Sequence, residues 1–285
     1  MRNRQGGRSR PPASLLVAGG LIAILAVVVV VASLTVLQLP DPVTEQARRT
    51  NNLYQVTLAI SMIVFFGVTA GIIWAAFRYR RTGPELPEQV HGNNALEFVW
   101  TLVPVLILIG LFIPSFILVL DLKTPPAQAD LASGNVLVVE AVGHQWWWEF
   151  DYPAEGIKVQ PTPPNYDSFA PPTMVIPVGQ TILVKVRSTD VVHSFYAPNL
   201  LYKIQAIPGN VNEFHFKVEK PGSFSGQCYQ FCGLRHSDMR FVIEAVEPAA
   251  YQRWVAEQKQ KQGQSGAVPA GGAAGAGDSV QGQTR

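Results

Sequence analysis

Three uncharged apolar runs in the first 120 residues constrain this chain more than anything else in it. They extend from Leu15 to Leu37, from about Gln55 to Phe77 and from about Phe98 to Leu120. Each reaches the roughly 20 residues an α-helix needs to cross a bilayer. In lipid the backbone must satisfy its own hydrogen bonds, so such runs are expected as helices. Pro104 and Pro114 lie inside the third. The carbonyls they free need a neighbouring helix or side chain, which predicts a partner protein against this segment. Only 15% of the residues are charged, against about 25% in soluble globular chains.

Arg2, Arg4, Arg8 and Arg10 precede the first run, and Arg78, Arg80 and Arg81 follow the second. Positive residues favour the cytoplasmic side. Three crossings then carry everything after Leu120 out of the cytoplasm, although Arg48 and Arg49 argue weakly the other way. The first run reads as a retained signal anchor. A cleaved signal peptide is the alternative, opposed by a run longer than the roughly 7–15 residues of a signal core and by the lack of a clear small-residue cleavage site.

Beyond about Asn135 the pattern changes to short runs bounded by glycine and proline: Val136–Val142, Gln145–Tyr152, Thr181–Arg187, Asn212–Glu219 and Arg240–Ala245. In Asn212–Glu219 apolar and polar residues alternate with a period of two, and Pro-Gly at 208–209 and 221–222 marks turns. Many short strands at this spacing predict an all-β sandwich or Greek-key barrel. The expected layout is a basic N-terminus and anchor over 1–38, a transmembrane hairpin over 39–121, an outer β-domain over 122–250, and a short helix with a disordered Gly/Ala/Gln tail over 251–285. The region 121–250 is mildly acidic, so no basic stripe points to nucleic acid. No CxxCH motif is present to attach haem.

The stretch GQCYQFCGLRHSDM, residues 226–239, places Cys228, Cys232, His236 and Met239 within twelve residues, and His193 precedes them in STDVVHSFYAP. Thiolate, thioether and imidazole together select copper. A Cys228–Cys232 disulfide would close a very small loop and leave the His and Met placement unexplained. Zinc on two Cys and two His does not require Met239. A mononuclear blue-copper site needs one Cys, two His and a weak axial Met, so the second thiolate argues for two metals.

The motifs HGNNALEFVWTLVP (91–104), GHQWWWEFDY (143–152), DVVHSF (190–195), AIPGNVNEF (206–214) and PGSFSGQCYQFCGLRHSDM (221–239) resemble those of the cytochrome c oxidase subunit II family. The resemblance implies a cupredoxin-like Greek-key barrel carrying a dinuclear copper-A centre. Cys228 and Cys232 would bridge the coppers, His193 and His236 cap them, and Met239 and the Gln230 carbonyl serve as axial ligands. It further implies electron uptake at Trp146 and a proton-pathway entrance at Glu97. The implied partners are subunit I with its haem, subunit III, and cytochrome c or a small blue-copper donor. The implied location is a bacterial plasma membrane with the copper domain outside. Oxygen reduction and proton pumping would occur in subunit I, so the chain would catalyse nothing alone.

The motifs also depart from the family. Gln230 stands where an acid usually helps bind magnesium, and a neutral amide is a poorer magnesium ligand, so that second metal is left open. Gln205 replaces a docking acid, while Glu149, Asp151, Glu155 and Asp167 remain as docking candidates. Arg235 and Arg240 add positive charge beside the motif, so steering of a basic donor should be weak. Trp146, Trp147 and Trp148 are consecutive and cannot all face one core. His144 is expected to be structural, His215 falls on the polar face of its strand, and His91 has no assigned role. Two rivals remain. A copper-free quinol oxidase subunit II would lack these ligands, and a membrane-anchored mononuclear blue-copper carrier would bind one metal.

Overall fold

The computed structural model describes isolated positions between Gly20 and Val36, then residues 37–80, 83–84, 89, 91–161 and 170–265. Most of the first apolar run and the tail after Ser265 therefore lie outside the described residues. The other two apolar runs lie within α1 (Glu45–Arg78) and α2 (Asn94–Lys123), both long and apolar enough to cross a membrane. Thr44 caps α1, its hydroxyl accepting from Ala47 N–H at 3.0 Å. Asn93 caps α2 by accepting from Leu96 N–H at 3.1 Å. Such caps satisfy donors that a helix start otherwise leaves unpaired. No side chain of α2 is buried. A helix this apolar and this uncovered needs lipid or another protein around it.

A short helix, α3 (Gln128–Ala132), leads into ten strands: β1 (Val136–His144), β2 (Trp147–Tyr152), β3 (Ile157–Val159), β4 (Thr173–Pro177), β5 (Thr181–Ser188), β6 (His193–Ala197), β7 (Tyr202–Ala206), β8 (Asn212–Phe216), β9 (Gly222–Cys228) and β10 (Arg240–Val246). The helix α4 (Pro248–Ser265) follows. The strands form two five-stranded sheets, ordered β3-β2-β1-β5-β8 and β4-β10-β9-β6-β7. Pairing is antiparallel except for β1 with β5 and β4 with β10. Between the sheets, Phe195 stacks on Phe241 at 4.3 Å, and Trp148 meets both edge-on. Such pairs add about 0.5–1.5 kcal/mol each beyond the area they bury.

Register brings the chemically interesting segments to one end of this sandwich. His144 pairs with Trp147 across the 145–146 turn, Gly143 pairs with Ser188 just before Asp190, and Gln227 pairs with Arg240 at the base of the 228–239 loop. The Gln145–Tyr152 run is thus a turn plus a strand rather than one strand. Asn212–Glu219 stops early as a strand, at Phe216, because Val218 bridges to Thr44 instead.

The hairpin is seated on the sandwich at its β8 side. Val43 N–H donates to the Asn199 carbonyl and the Val43 carbonyl accepts from Glu219 N–H. Arg48 forms a two-point pair with Glu219 at 2.6 and 2.8 Å, and Arg49 pairs with Asp121 and Glu45. These pairs are exposed and individually weak. The buried Thr44 and Ala47 carry more of the contact.

Candidate metal centre

His193 opens β6 with its ring fully buried. It fits there because Gly143 faces it: a Cβ at that position would stand 2.9 Å from His193 Cδ2. Asp190 lies 2.7 Å from Nε2, so Nδ1 is left to face the Cys228 sulfur at 3.9 Å. Holding one ring nitrogen fixes what the other presents.

Cys228 ends β9, and Met239 immediately precedes β10. Cys228 N–H donates to the Met239 carbonyl at 2.9 Å, and Tyr229 N–H donates to Ser194 at 3.1 Å. These bonds cinch the loop shut against β6. Inside it, the Cys228 and Cys232 sulfurs are 3.9 Å apart and both are free thiols. Cys232 Sγ lies 3.5 Å from His236 Nδ1 and 3.9 Å from Met239 Sδ. The Cys228 thiol donates to the Gln230 carbonyl at 3.2 Å. All six expected donors therefore converge, one imidazole against each sulfur.

The two thiols are electrostatically unequal. Burial raises Cys228, but hydrogen bonds, above all with His193, bring it below its ordinary value. Burial and the neighbouring Cys228 push Cys232 up to about 12. Releasing both protons at neutral pH requires a positive charge between the sulfurs, which a metal supplies. The atoms of His193, Cys228 and Cys232 lie mutually within 4.8 Å, and the buried thioether of Met239 makes the set softer than zinc requires. The donors fit copper.

Trp146 sits in the turn before β2, where its indole N–H donates to the Cys232 carbonyl at 3.1 Å. Gln145 Nε2 donates to the same oxygen at 2.8 Å. The indole packs over Gly233, whose φ of 122° favours glycine and where a Cβ would stand 3.1 Å from the ring. Trp147 is half-buried and stacks on His144 at 4.0 Å, while Trp148 is core. Asp190, Gln145 and Gly143 escape sequence reasoning. The DxxH spacing is the one local signal for the first, and only the fold could show the others.

The docking acids fare unevenly. Glu149 is buried rather than displayed, held by Gln160 and by Lys158 at 3.5 Å, so it presents no free charge to a partner. In β2 it lies on the face opposite Trp148 and Phe150, where Gln160 and Lys158 cover it. Asp151 also pairs with Lys158, at 3.1 Å, and Glu155 pairs with Lys259 at 3.2 Å. Asp167 lies outside the described residues. Glu97 sits in the first turn of α2, its carboxylate accepting from Asn93 N–H at 3.2 Å. His215 lies on β8, away from the loop.

Two family models match: "Cytochrome C oxidase subunit II, periplasmic domain" over residues 137–246 and its transmembrane counterpart over 21–118. The "Probable cytochrome c oxidase subunit 2" of Streptomyces coelicolor is 33% identical over 273 residues, covering 82% of each chain. The chain belongs to the cytochrome c oxidase subunit II family. Another subunit II relative, from Alkalihalophilus pseudofirmus, is 34% identical over 70% of this chain, which spans 55% of that protein's length. The crystal structure of the periplasmic domain of subunit II from Bradyrhizobium japonicum is 37% identical. It covers 44% of this chain and 94% of its own, with a TM-score of 0.40.

Proposed function

We propose that this chain is the electron-accepting subunit of a bacterial haem-copper oxidase. It takes single electrons from a soluble carrier, cytochrome c or a small blue-copper protein, and delivers them to haem in subunit I. The observation that carries this reading is the closed cluster of His193, Cys228, Cys232, His236 and Met239, linked to Trp146 by one hydrogen bond that the indole N–H donates to the Cys232 carbonyl. Two copper ions held by these side chains and the Gln230 carbonyl would supply a one-electron store.

The protein's own part is positional. Burial of His193, Cys228, Cys232 and Met239 excludes water and keeps the donors fixed whichever charge the site holds. Trp146 is half-buried, and its hydrogen bond ties that partly exposed ring directly to the Cys232 carbonyl. The α1–α2 hairpin would anchor the domain against subunit I, with subunit III as a further neighbour. The copper domain would face away from the cytoplasm of a plasma membrane. That orientation gains support because Arg48 and Arg49 are spent on Glu219, Asp121 and Glu45 and no longer oppose it. Glu97, at the other end of the hairpin, is read as the entrance of a proton pathway into subunit I, alongside its capping role. Magnesium beside Gln230 stays outside this reading, since an amide is a weak ligand for it. The proposed layout divides at 38 and 121, whereas the boundary at 250 falls inside α4, whose Tyr251 and Val255 are buried in the sandwich core.

Copper stoichiometry and electron paramagnetic resonance of the full chain, purified within its complex, test the reading. Two coppers per chain with hyperfine splitting from two equivalent nuclei are expected. One copper would favour the blue-copper carrier, and none would favour a quinol oxidase subunit. Trp146→Phe should slow electron uptake with the copper spectrum intact.

A further inference from the structure

We propose that His215 is an acid-sensitive latch on the seat that joins the hairpin to the sandwich. With its imidazole neutral the seat stays closed, and with the imidazole charged the seat opens. The latch lies away from the metal loop and needs no metal to work.

His215 sits in β8 between the core residues Phe214 and Phe216, so its ring points to the outer face of that sheet. There it lies across from Leu183 of β5, which is buried. The half-buried ring lines a crevice with Thr44 at the start of α1, Leu122 near the end of α2, and Leu200 and Tyr202. The crevice is mostly apolar and has room for about one water molecule. Among the described residues no group hydrogen-bonds the His215 ring. An imidazole so placed is comfortable as the neutral base, because the charged form needs acceptors or water around it.

The surrounding charges decide the sign of the effect. Asp121, at the end of α2, favours the protonated ring. It is already paired with Arg49 of α1 at 3.1 Å, and Arg49 also holds Glu45. On β8 itself, Glu213 is taken up by Lys185 of β5 at 3.6 Å. Lys217, two residues along β8, and Lys123, which ends α2, oppose a further positive charge. Burial raises the Tyr202 phenol, so it stays neutral. Burial also outweighs Asp121 and holds the His215 imidazole below its ordinary value. A base depressed in this way binds its proton better once released from the crevice. The seat is therefore most stable above about pH 6.5, the ordinary histidine value, and loses stability as pH falls from there through the lower seated value.

Hydrating a charged ring requires α1, α2 and β8 to part, since the crevice cannot hold the water. What gives way is the tie at Val43, whose N–H donates to the Asn199 carbonyl at 3.2 Å and whose carbonyl accepts from Glu219 N–H at 3.4 Å. The latch thus couples acidity of the surrounding medium to the alignment of the sandwich over the hairpin.

Amide hydrogen exchange of the full chain within its purified complex tests this, at about pH 7.5 and about pH 5.5, where carboxylates stay ionised. After correction for intrinsic exchange, protection of the Val43 and Glu219 amides should fall at least about threefold on acidification. Val139 and Val184, inside β1 and β5, should keep theirs. His215→Phe and His215→Gln, neither of which titrates, should each abolish the dependence. Protection at Val43 and Glu219 that is constant with pH in the unmutated chain would overturn the proposal. So would a rise on acidification, which would mean that Asp121 captures the charged ring. A dependence that survives in both variants, or an equal loss at Val139 and Val184, would also overturn it.

Discussion

Asp190 holds one nitrogen of His193 while the other faces Cys228, and it also receives the backbone N–H of Gln145. One carboxylate thereby ties the imidazole to the turn that carries Trp146. Removing an outer partner of a metal-binding histidine typically weakens binding about 10- to 100-fold. Asp190→Ala should therefore lose cuprous copper to a competing chelator at correspondingly lower concentration. Retention equal to the parent would mean that packing against Trp148 suffices to orient the ring. Gly143→Ala should act on the same histidine sterically, because the added methyl stands 2.9 Å from it. A changed copper absorption spectrum in a still-folded domain is expected, with about 1–3 kcal/mol of destabilisation in chemical denaturation. The donors themselves were legible in the sequence because four of them crowd into twelve residues. Asp190 and Gly143 were not, since their roles depend on β1 and β6 meeting across two different sheets.

At the scale of elements, α4 extends the sandwich rather than trailing from it. Tyr251 and Val255 are buried, Trp254 packs on Tyr152 at 5.1 Å, and Lys259 reaches Glu155. Tyr251→Ala should cost about 3 kcal/mol or more, in the range of large aromatic truncations, read as a lowered denaturation midpoint with unchanged copper content. Loss of copper at full stability would contradict the separation of this helix from the metal loop. Period-two alternation and Pro-Gly turns made most strands readable. The pattern failed where a residue's partner came from another element. Trp146 looked like strand but turns toward Cys232, Val218 left its strand to pair with Thr44, and Glu149 looked like surface charge but is buried against Lys158.

For the whole molecule, the arginines that spoiled the positive-inside reading are neutralised where hairpin and sandwich meet. A membrane-impermeant amine reagent applied to intact spheroplasts should modify the exposed Lys203 and Lys217. Labelling of these residues only after lysis would reverse the assigned orientation. The seat at Val43, Thr44 and Ala47 has a further effect. Electron tunnelling weakens steeply with every added ångström, so a domain swaying on a slack tether would deliver current in bursts. Pinned at both Asn199 and Glu219, the hairpin works as a surveyor's mount. Two backbone bonds at Val43 would fix the height and bearing of the metal loop over the spanning helices, leaving less room for tilt to modulate the flow of charge.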